Sequence, residues 1–194
     1  MIKSILLLTF IISSLNFAAA NSCIQLIKGS VQVKWTAFKT PAKIGVTGFL
    51  RGIILEGPSS GKSIPIILSS SSFKLITNKK SIDSNNPARD AKIAKSFFST
   101  LKNNGNITGS VSSLTKKNTV LNLKLNLNGV EKNLPLKLSI AKNELTATGH
   151  VDVLDYSMGS ELAALNKACF AKHEGKTWSD VQVNLIAKFQ NCTK

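Results

Sequence analysis

The chain has 194 residues, a length that suits a single domain. It carries 25 lysines and arginines against 10 acidic residues, and this formal charge of +15 favours anionic partners such as phospholipid headgroups, lipopolysaccharide or nucleic acid. No segment after residue 20 has an uninterrupted apolar run of about 18 residues, and no repeat of about 20–50 residues is visible, which excludes a polytopic helical membrane protein and a repeat array.

Residues 1–20 differ from the rest of the chain. Lys3 is their only charged residue, residues 5–17 form a mostly apolar core, and Ala18-Ala19-Ala20 is the small-residue pattern that signal peptidase reads. We interpret residues 1–20 as a cleaved signal peptide and residues 21–194 as a periplasmic or secreted domain. The alternatives are a retained anchor and a lipid on Cys23, although Ala20 stands where a lipoprotein signal carries an aliphatic residue.

Export separates the protein from nucleic acid, so we predict no nucleic-acid partner and leave an anionic membrane surface as a candidate partner. The lysines are scattered along polar strand faces and turns, as Lys124 and Lys137 illustrate. Such scattering is also typical of a solvated surface that discourages edge-to-edge strand pairing.

The first elements in chain order are strands. Residues 30–38 alternate between apolar and polar side chains, which predicts a half-buried strand. Residues 45–56 form a second, glycine-rich strand, and glycines inside strands mark bulges or bends where a sheet closes. Residues 64–76 contain two short apolar runs separated by serines, which predicts a broken or edge strand.

Two short helices are predicted among the strands. Asn85-Asn86-Pro87 signals a helix start with Pro87 in its first turn, and residues 88–101 carry apolar side chains at helical spacing. Residues 157–170 show a similar spacing and predict the second helix.

Residues 119–153 carry the clearest pattern in the chain. Leucines alternate with polar residues over 121–127, and aliphatic residues do so again over 134–140, on either side of Asn128-Gly129, a turn that favours a hairpin. A third alternating run covers residues 145–153. These runs predict a three-stranded antiparallel meander whose continuous aliphatic face must be covered by the rest of the chain.

The whole pattern predicts an all-β fold with two short helices. The eight predicted strands cover residues 23–37, 45–56, 64–76, 106–115, 119–128, 131–141, 144–154 and 180–191. Their mostly sequential connections favour an eight-stranded antiparallel up-and-down, lipocalin-like barrel over a two-sheet sandwich.

Three cysteines, Cys23, Cys169 and Cys192, predict one disulfide and one spare thiol in an exported chain. In a closed barrel with an even number of strands, the first and last strands are antiparallel neighbours. Cys23 and Cys192 lie at the adjoining ends of those strands, so we predict a Cys23–Cys192 disulfide and a free Cys169.

Several stretches resemble the YceI-like family. They are Val33-Lys34-Trp35-Thr36-Ala37-Phe38-Lys39 with residues 45–49, the segment from Ser81 to Asp90 followed by Phe97-Phe98, Thr148-Gly149, and residues 176–181. The resemblance covers nearly all of the domain after residue 20. It implies a lipocalin-like barrel, exported from the cytoplasm, whose cavity holds a long polyisoprenoid chain.

The sequence predicts neither an enzyme nor a cofactor or metal site. His150 and Asp152 share a strand face, but no nucleophile elbow or phosphate-cradling glycine loop accompanies them. Cys169 and His173 are one helical turn apart, and two ligands do not make a metal site.

Aromatic and aliphatic residues on the predicted inward faces and the first helix are the candidate lining of a ligand cavity. They are Trp35, Phe49, Phe73, Phe97, Phe98, Leu123, Leu125, Leu136, Leu138, Val151 and Phe189. Small inward residues, among them Gly109 and Gly149, favour a cavity over a filled barrel, and Lys39 and Lys43 are candidates to hold a polar head at its mouth. The sequence thus predicts an exported carrier of an apolar lipid or isoprenoid; the alternative is a ligand-free basic interaction module with a packed barrel.

Overall fold

The computed structural model describes residues 23–76, 81–102, 105–115, 117 and 119–193. The predicted signal peptide and its cleavage site lie outside the described residues. Twelve strands form in the described chain: β1 Ile24–Leu26, β2 Gln32–Lys39, β3 Ile44–Leu50, β4 Ile54–Glu56, β5 Ser60–Gly61, β6 Ser72–Ile76, β7 Ile82–Asp83, β8 Asn106–Leu114, β9 Val120–Leu127, β10 Val130–Ala141, β11 Glu144–Asp152 and β12 Thr177–Asn191.

The strands form one curled antiparallel sheet. Its strand order is β4-β6-β8-β9-β10-β11-β12-β2-β3-β7, with β1 paired to both β12 and β5. The run from β8 to β12 is an up-and-down meander, and β12 returns to lie beside β2. In the described part of the chain the end strands β4 and β7 do not pair with each other, so hydrogen bonds do not close the sheet.

The prediction of eight strands is therefore wrong, while the antiparallel, mostly-β class with few helices is confirmed. Predicted strand 23–37 is two strands, because the chain turns at Lys28-Gly29 and Gly29 has a positive φ of 75°. Predicted strand 64–76 begins with a short helix, α1 Ile64–Leu68, which has Pro65 in its first turn. Apolar runs this short fit a buried helix as well as a strand, which is why the pattern misled.

The two predicted helices are confirmed. Helix α2, Pro87–Ile93, continues as a π-helical turn, Ala94–Phe98. Its N-cap Asn86 accepts a hydrogen bond from the Arg89 amide at 3.0 Å. After β11 come a 3-10 turn, Val153–Tyr156, and helices α3, Gly159–Ala168, and α4, Phe170–His173. Among the described helices none is long and apolar enough to span a membrane.

The meander packs its aliphatic face inward as its alternation predicts. The inward leucines Leu121, Leu123, Leu125 and Leu127 are buried, and so are Leu134, Leu136, Leu138, Leu145, Ala147, Val151 and Val153. The intervening polar residues face outward, where Lys124 forms an ion pair with Glu131 of the next strand at 2.7 Å. Hydrophobic burial on one face thus sets the register of the sheet.

The disulfide joins Cys23 and Cys192, as the strand adjacency predicted, and Cys169 is free and half-buried. The Cα atoms of the pair are 5.3 Å apart, and the Cys192 amide donates a hydrogen bond to the Cys23 carbonyl at 2.9 Å. The bridge ties β1 to the end of β12 at the edge of the sheet where β5 also pairs.

Candidate functional site

The concave face of the sheet encloses a cavity of about 810 Å³. Its wall is formed by inward side chains of the long strands, and its remaining sides by α1, the π-helical turn and α3. The barrel is therefore not packed solid. A volume of this size lies within the range of about 300–1,000 Å³ that is typical of small-molecule sites.

Most of the predicted lining residues border this cavity. They are Trp35, Phe73, Phe97, Phe98, Leu123, Leu125, Leu136, Val151 and Phe189. Two predicted residues, Phe49 and Leu138, do not.

Phe49 lies on the outer face of the sheet. In the β2–β3 register Trp35 pairs with Gly48, and Phe49 pairs with the outward residue Lys34. The Phe49 ring instead packs against the Arg51 guanidinium, whose carbon lies 5.0 Å from the ring centre. The aromatic type of residue 49 suggested the inward face, but the register assigns that face to Gly48 and Leu50.

Leu138 is only 5% exposed, but it packs in the core away from the cavity. It lies one residue past the last β9–β10 pair, which joins Lys137 and Val120. Burial alone therefore does not make an inward residue part of the site.

The inward glycines do not leave open space, contrary to the prediction from their size. A Cβ built on Gly109 would lie 2.8 Å from Phe73 Cζ, and one on Gly149 would lie 3.1 Å from the Pro135 carbonyl oxygen and against the Leu136 side chain. Large neighbouring side chains lie across these glycines. The small residues thus shape the wall by letting Phe73 and Leu136 lie flat along it.

The floor of the cavity lies at the helical end of the sheet, where α2, the π-helical turn and α3 pack. The Phe97 and Phe98 rings meet edge to face, with centroids 5.1 Å apart. Buried Asn128, in the β9–β10 turn, joins two neighbouring segments at this end. Its side chain accepts a hydrogen bond from the Lys102 amide at 2.9 Å and donates one to the Tyr156 carbonyl at 3.1 Å.

The mouth lies at the opposite end, next to the disulfide. All exposed lining residues fall in two described segments, Lys28–Gly29 and residues 54–59. The two segments meet where the Leu26 amide donates to the Ser59 carbonyl at 2.7 Å. Lys39 and Lys43 are instead at the helical end, where Lys43 forms an ion pair with Asp180 at 2.9 Å, so their predicted position at the mouth is wrong.

The wall offers almost no free polar group to a ligand. Lys28 and Glu56, both at the mouth, are the charged members of the lining. Thr177 donates to Asn166 at 2.9 Å, Ser71 donates to the Ile67 carbonyl at 2.7 Å, and Trp178 donates to the Thr40 carbonyl at 2.8 Å. Such a wall suits hydrocarbon, because a polar ligand would lose its hydrogen bonds to water without replacement.

His150, Asp152 and His173 do not line the cavity. His150 is exposed, and Asp152 accepts from the Leu154 amide at 2.9 Å and from Ser179 at 3.1 Å. Partial burial, with Lys39 and Lys92 nearby, lowers the pKa of His173. No three His, Cys, Asp or Glu side chains cluster as metal ligands in the described chain.

Sequence reasoning missed part of the lining. Ile67 and Leu68 border the cavity from α1, and Leu162 and Leu165 border it from α3. Residues 162 and 165 are three apart, so one helix face presents both, and this spacing was visible in the sequence. The α1 residues were hidden by the assignment of their segment to a strand.

Comparisons with known proteins agree with this architecture. A polyisoprenoid binding domain from Saccharophagus degradans, implicated in plant cell wall breakdown, superposes with a TM-score of 0.62 at 11% identity, covering 87% of this chain and 98% of the other. BcnA of Burkholderia cenocepacia superposes with a TM-score of 0.58 at 12% identity, covering 85% and 99%. At these identities the likeness concerns the fold. No curated protein sequence matches the chain.

The sequence itself matches a family model. The YceI-like domain model matches residues 60–189, which include every strand from β6 to β11, the helices and nearly all of β12. The match covers more than half of the chain, and the curled sheet with its inner cavity is the lipocalin-like fold that the resemblance implied. The chain belongs to the YceI-like domain family.

Proposed function

We propose that the protein is an exported carrier or reservoir that binds a long apolar chain, a polyisoprenoid or another lipid, inside the cavity. The observation that carries this proposal is the cavity of about 810 Å³ with an almost wholly hydrocarbon wall. A packed barrel, which the alternative of a ligand-free interaction module requires, would have no such space.

The energetics favour a hydrocarbon ligand. Each buried CH₂ group contributes about 0.8 kcal/mol, so a chain of ~20 carbons contributes more than the roughly 4–15 kcal/mol that association costs. A charged or sugar-like ligand would lose several kcal/mol for each stranded polar group. The cavity is therefore expected to be occupied in the cell.

An isoprenoid is the ligand class that a relative suggests. The Saccharophagus degradans structure is a polyisoprenoid binding domain, and it shares this fold over 87% of the present chain. Export is supported by the Cys23–Cys192 disulfide, because structural disulfides persist in oxidising compartments. It is also supported by the signal-like pattern of residues 1–20.

Binding rather than catalysis is supported by the polar groups. Those in the cavity wall hydrogen-bond within the protein, and the exposed His150 lies beside an Asp152 that caps the 3-10 turn. The charged members of the lining, Lys28 and Glu56, lie at the mouth.

The test uses two variants of neighbouring residues in β12. Val183 is half-buried and lines the cavity, while Gln182 is exposed on the other face of the same strand. Val183→Trp should fill the cavity and lower uptake of solanesol and of oleate, offered separately, several-fold. Gln182→Trp adds the same ring outside and should leave uptake unchanged.

Uptake is measured by native mass spectrometry after gel filtration. Wild-type protein that takes up neither probe, or equal losses in both variants, would contradict the proposal. Uptake of oleate without solanesol would keep a lipid carrier and exclude the isoprenoid class.

A further inference from the structure

Exposed apolar side chains surround the mouth of the cavity. We define the mouth rim as two segments, Lys28–Gly29 and residues 54–68, the second of which ends with helix α1. Ile54 is 56% exposed, Leu55 38% and Ile66 53%. Large aliphatic side chains exposed together mark an interaction surface more often than isolated ones do.

These residues belong to one compact part of the fold. A Cβ built on Gly61 would lie 3.6 Å from Ile66 Cγ2, and one on Gly57 would lie 3.3 Å from Ser71 Cα, just past the end of α1. The loop that lines the mouth is thus packed against α1. Ile67, next to Ile66, lines the cavity itself. The apolar rim is continuous with the apolar interior.

Basic residues accompany the rim. Lys28 and Lys62 are exposed on its two segments, and the turns at the same end of the sheet carry Lys117 and Lys142, also exposed. Glu56 is the acidic residue of the rim. The surface around the mouth therefore combines exposed aliphatic side chains with positive charge. This combination is typical of proteins that bind the surface of anionic bilayers.

The other exposed large hydrophobic residues of the described chain do not form such a surface. Ile140, 37% exposed, is a single residue near the end of β10, next to the β10–β11 turn. Ile44, Leu154 and Phe170 are each on a different element at the helical end, far along the sheet from the mouth. They provide matched controls, because Leu154 has the same 53% exposure as Ile66.

We propose that the mouth rim docks on the surface of an anionic phospholipid bilayer. Ile54, Leu55 and Ile66 enter the headgroup region, while Lys28 and Lys62 lie beside lipid phosphates. The role of this docking rests on the proposed function, because an apolar ligand can then pass between the bilayer and the cavity without crossing water. The docking itself needs no bound ligand.

The test is flotation of purified protein with vesicles of phosphatidylcholine alone, or of phosphatidylcholine mixed with phosphatidylglycerol, at low and high salt. Wild-type protein should float with the anionic vesicles, and less so at high salt. Ile66→Glu and Lys62→Glu should each lower the bound fraction several-fold. Leu154→Glu and Lys137→Glu, which make the same chemical changes away from the rim, should bind like the wild type.

Because all variants share the same N-terminal segment, differences between them report on the rim. Wild-type protein that does not float, or rim variants that float as well as their controls, would overturn the docking proposal. Light scattering without vesicles gives a further outcome that would overturn it. If the wild type is a dimer and Ile66→Glu is a monomer, the rim binds a second copy of the chain instead of a bilayer. Ile66 does not line the cavity, so Ile66→Glu protein should still take up the same probes as the wild type. A wild type that takes up neither solanesol nor oleate would instead contradict the carrier function.

Discussion

The indole of Trp35 lies across Gly48 on the neighbouring strand. A Cβ built on Gly48 would lie 2.7 Å from Trp35 Cε2 and 2.9 Å from the Asp83 carbonyl oxygen of β7. The two residues are directly paired in the β2–β3 register. Gly48 thus lets a buried tryptophan lie flat in the cavity wall while β7 approaches from the other side.

Gly48→Ala should destabilise the protein by about 1–3 kcal/mol, because the methyl group meets an indole ring and a backbone oxygen that cannot both move away. Urea unfolding measures the change. Gly45→Ala in the same strand is the control: its Cβ would meet the Thr36 side chain at 3.3 Å, and residue 45 is exposed. Equal effects at both positions would contradict the steric account.

Removing the disulfide by Cys23→Ser and Cys192→Ser together should lower the free energy of unfolding by about 2–5 kcal/mol, since the bridge closes nearly the whole described chain. Cys169→Ser, at the free cysteine, should have little effect. Urea unfolding with and without reductant makes the comparison. A wild-type protein insensitive to reductant in the unfolding transition would show that the bridge adds no stability.

Asn128→Gly should cost about 1–3 kcal/mol, because the Lys102 amide and the Tyr156 carbonyl lose a buried partner. Asn128→Ala should cost more, since residue 128 has a positive φ of 56° that alanine disfavours. Asn143→Gly, in the exposed β10–β11 turn at φ 61°, is the matched control and should change little. Thermal unfolding measures the change, and the midpoint should fall from wild type and Asn143→Gly to Asn128→Gly and then to Asn128→Ala.

His173 should make the fold less stable in mild acid. Its pKa is lowered by partial burial and by Lys39 and Lys92, so the folded state binds fewer protons than the unfolded state. The stability that this neutral ring contributes is present above its unfolded pKa of about 6.5, and is lost as the pH falls from there through the folded pKa. Urea midpoints measured between neutral pH and the acid side of that range should fall less in His173→Gln than in the wild type. A parallel fall in the two proteins would contradict this.

Much of the fold was readable from alternation alone. Leu121 to Leu127, Asn128-Gly129 and Leu134 to Ile140 form the hairpin that they predict, because one dry face leaves a single register. Strand β1 and helix α1 were not readable. A strand of three residues or a helix of five is too short to show the two-residue period of a strand or the 3.6-residue period of a helix, so the sequence does not distinguish them.

The cavity was readable only in outline. Alternation correctly placed Leu123, Leu125 and Val151 on the inward face. The aromatic character of Phe49 did not show which face of β3 it occupies, because that depends on the register set by the β2–β3 turn, in which Phe49 pairs with Lys34. The mouth was predicted at the wrong end, near Lys43. Which end of the sheet holds the turn with Lys43 depends on the order of all the strands. That order includes the return of β12 beside β2.

The central claim is that the cavity holds a long apolar chain. Native mass spectrometry of protein purified without detergent or organic solvent tests it most directly, with denaturing mass spectrometry of the same sample to establish the mass of the chain alone. The account predicts a noncovalent extra mass, extractable into organic solvent and identified there as an isoprenoid or other lipid. Protein whose native and denatured masses agree, and which remains empty after incubation with solanesol or oleate, would contradict it.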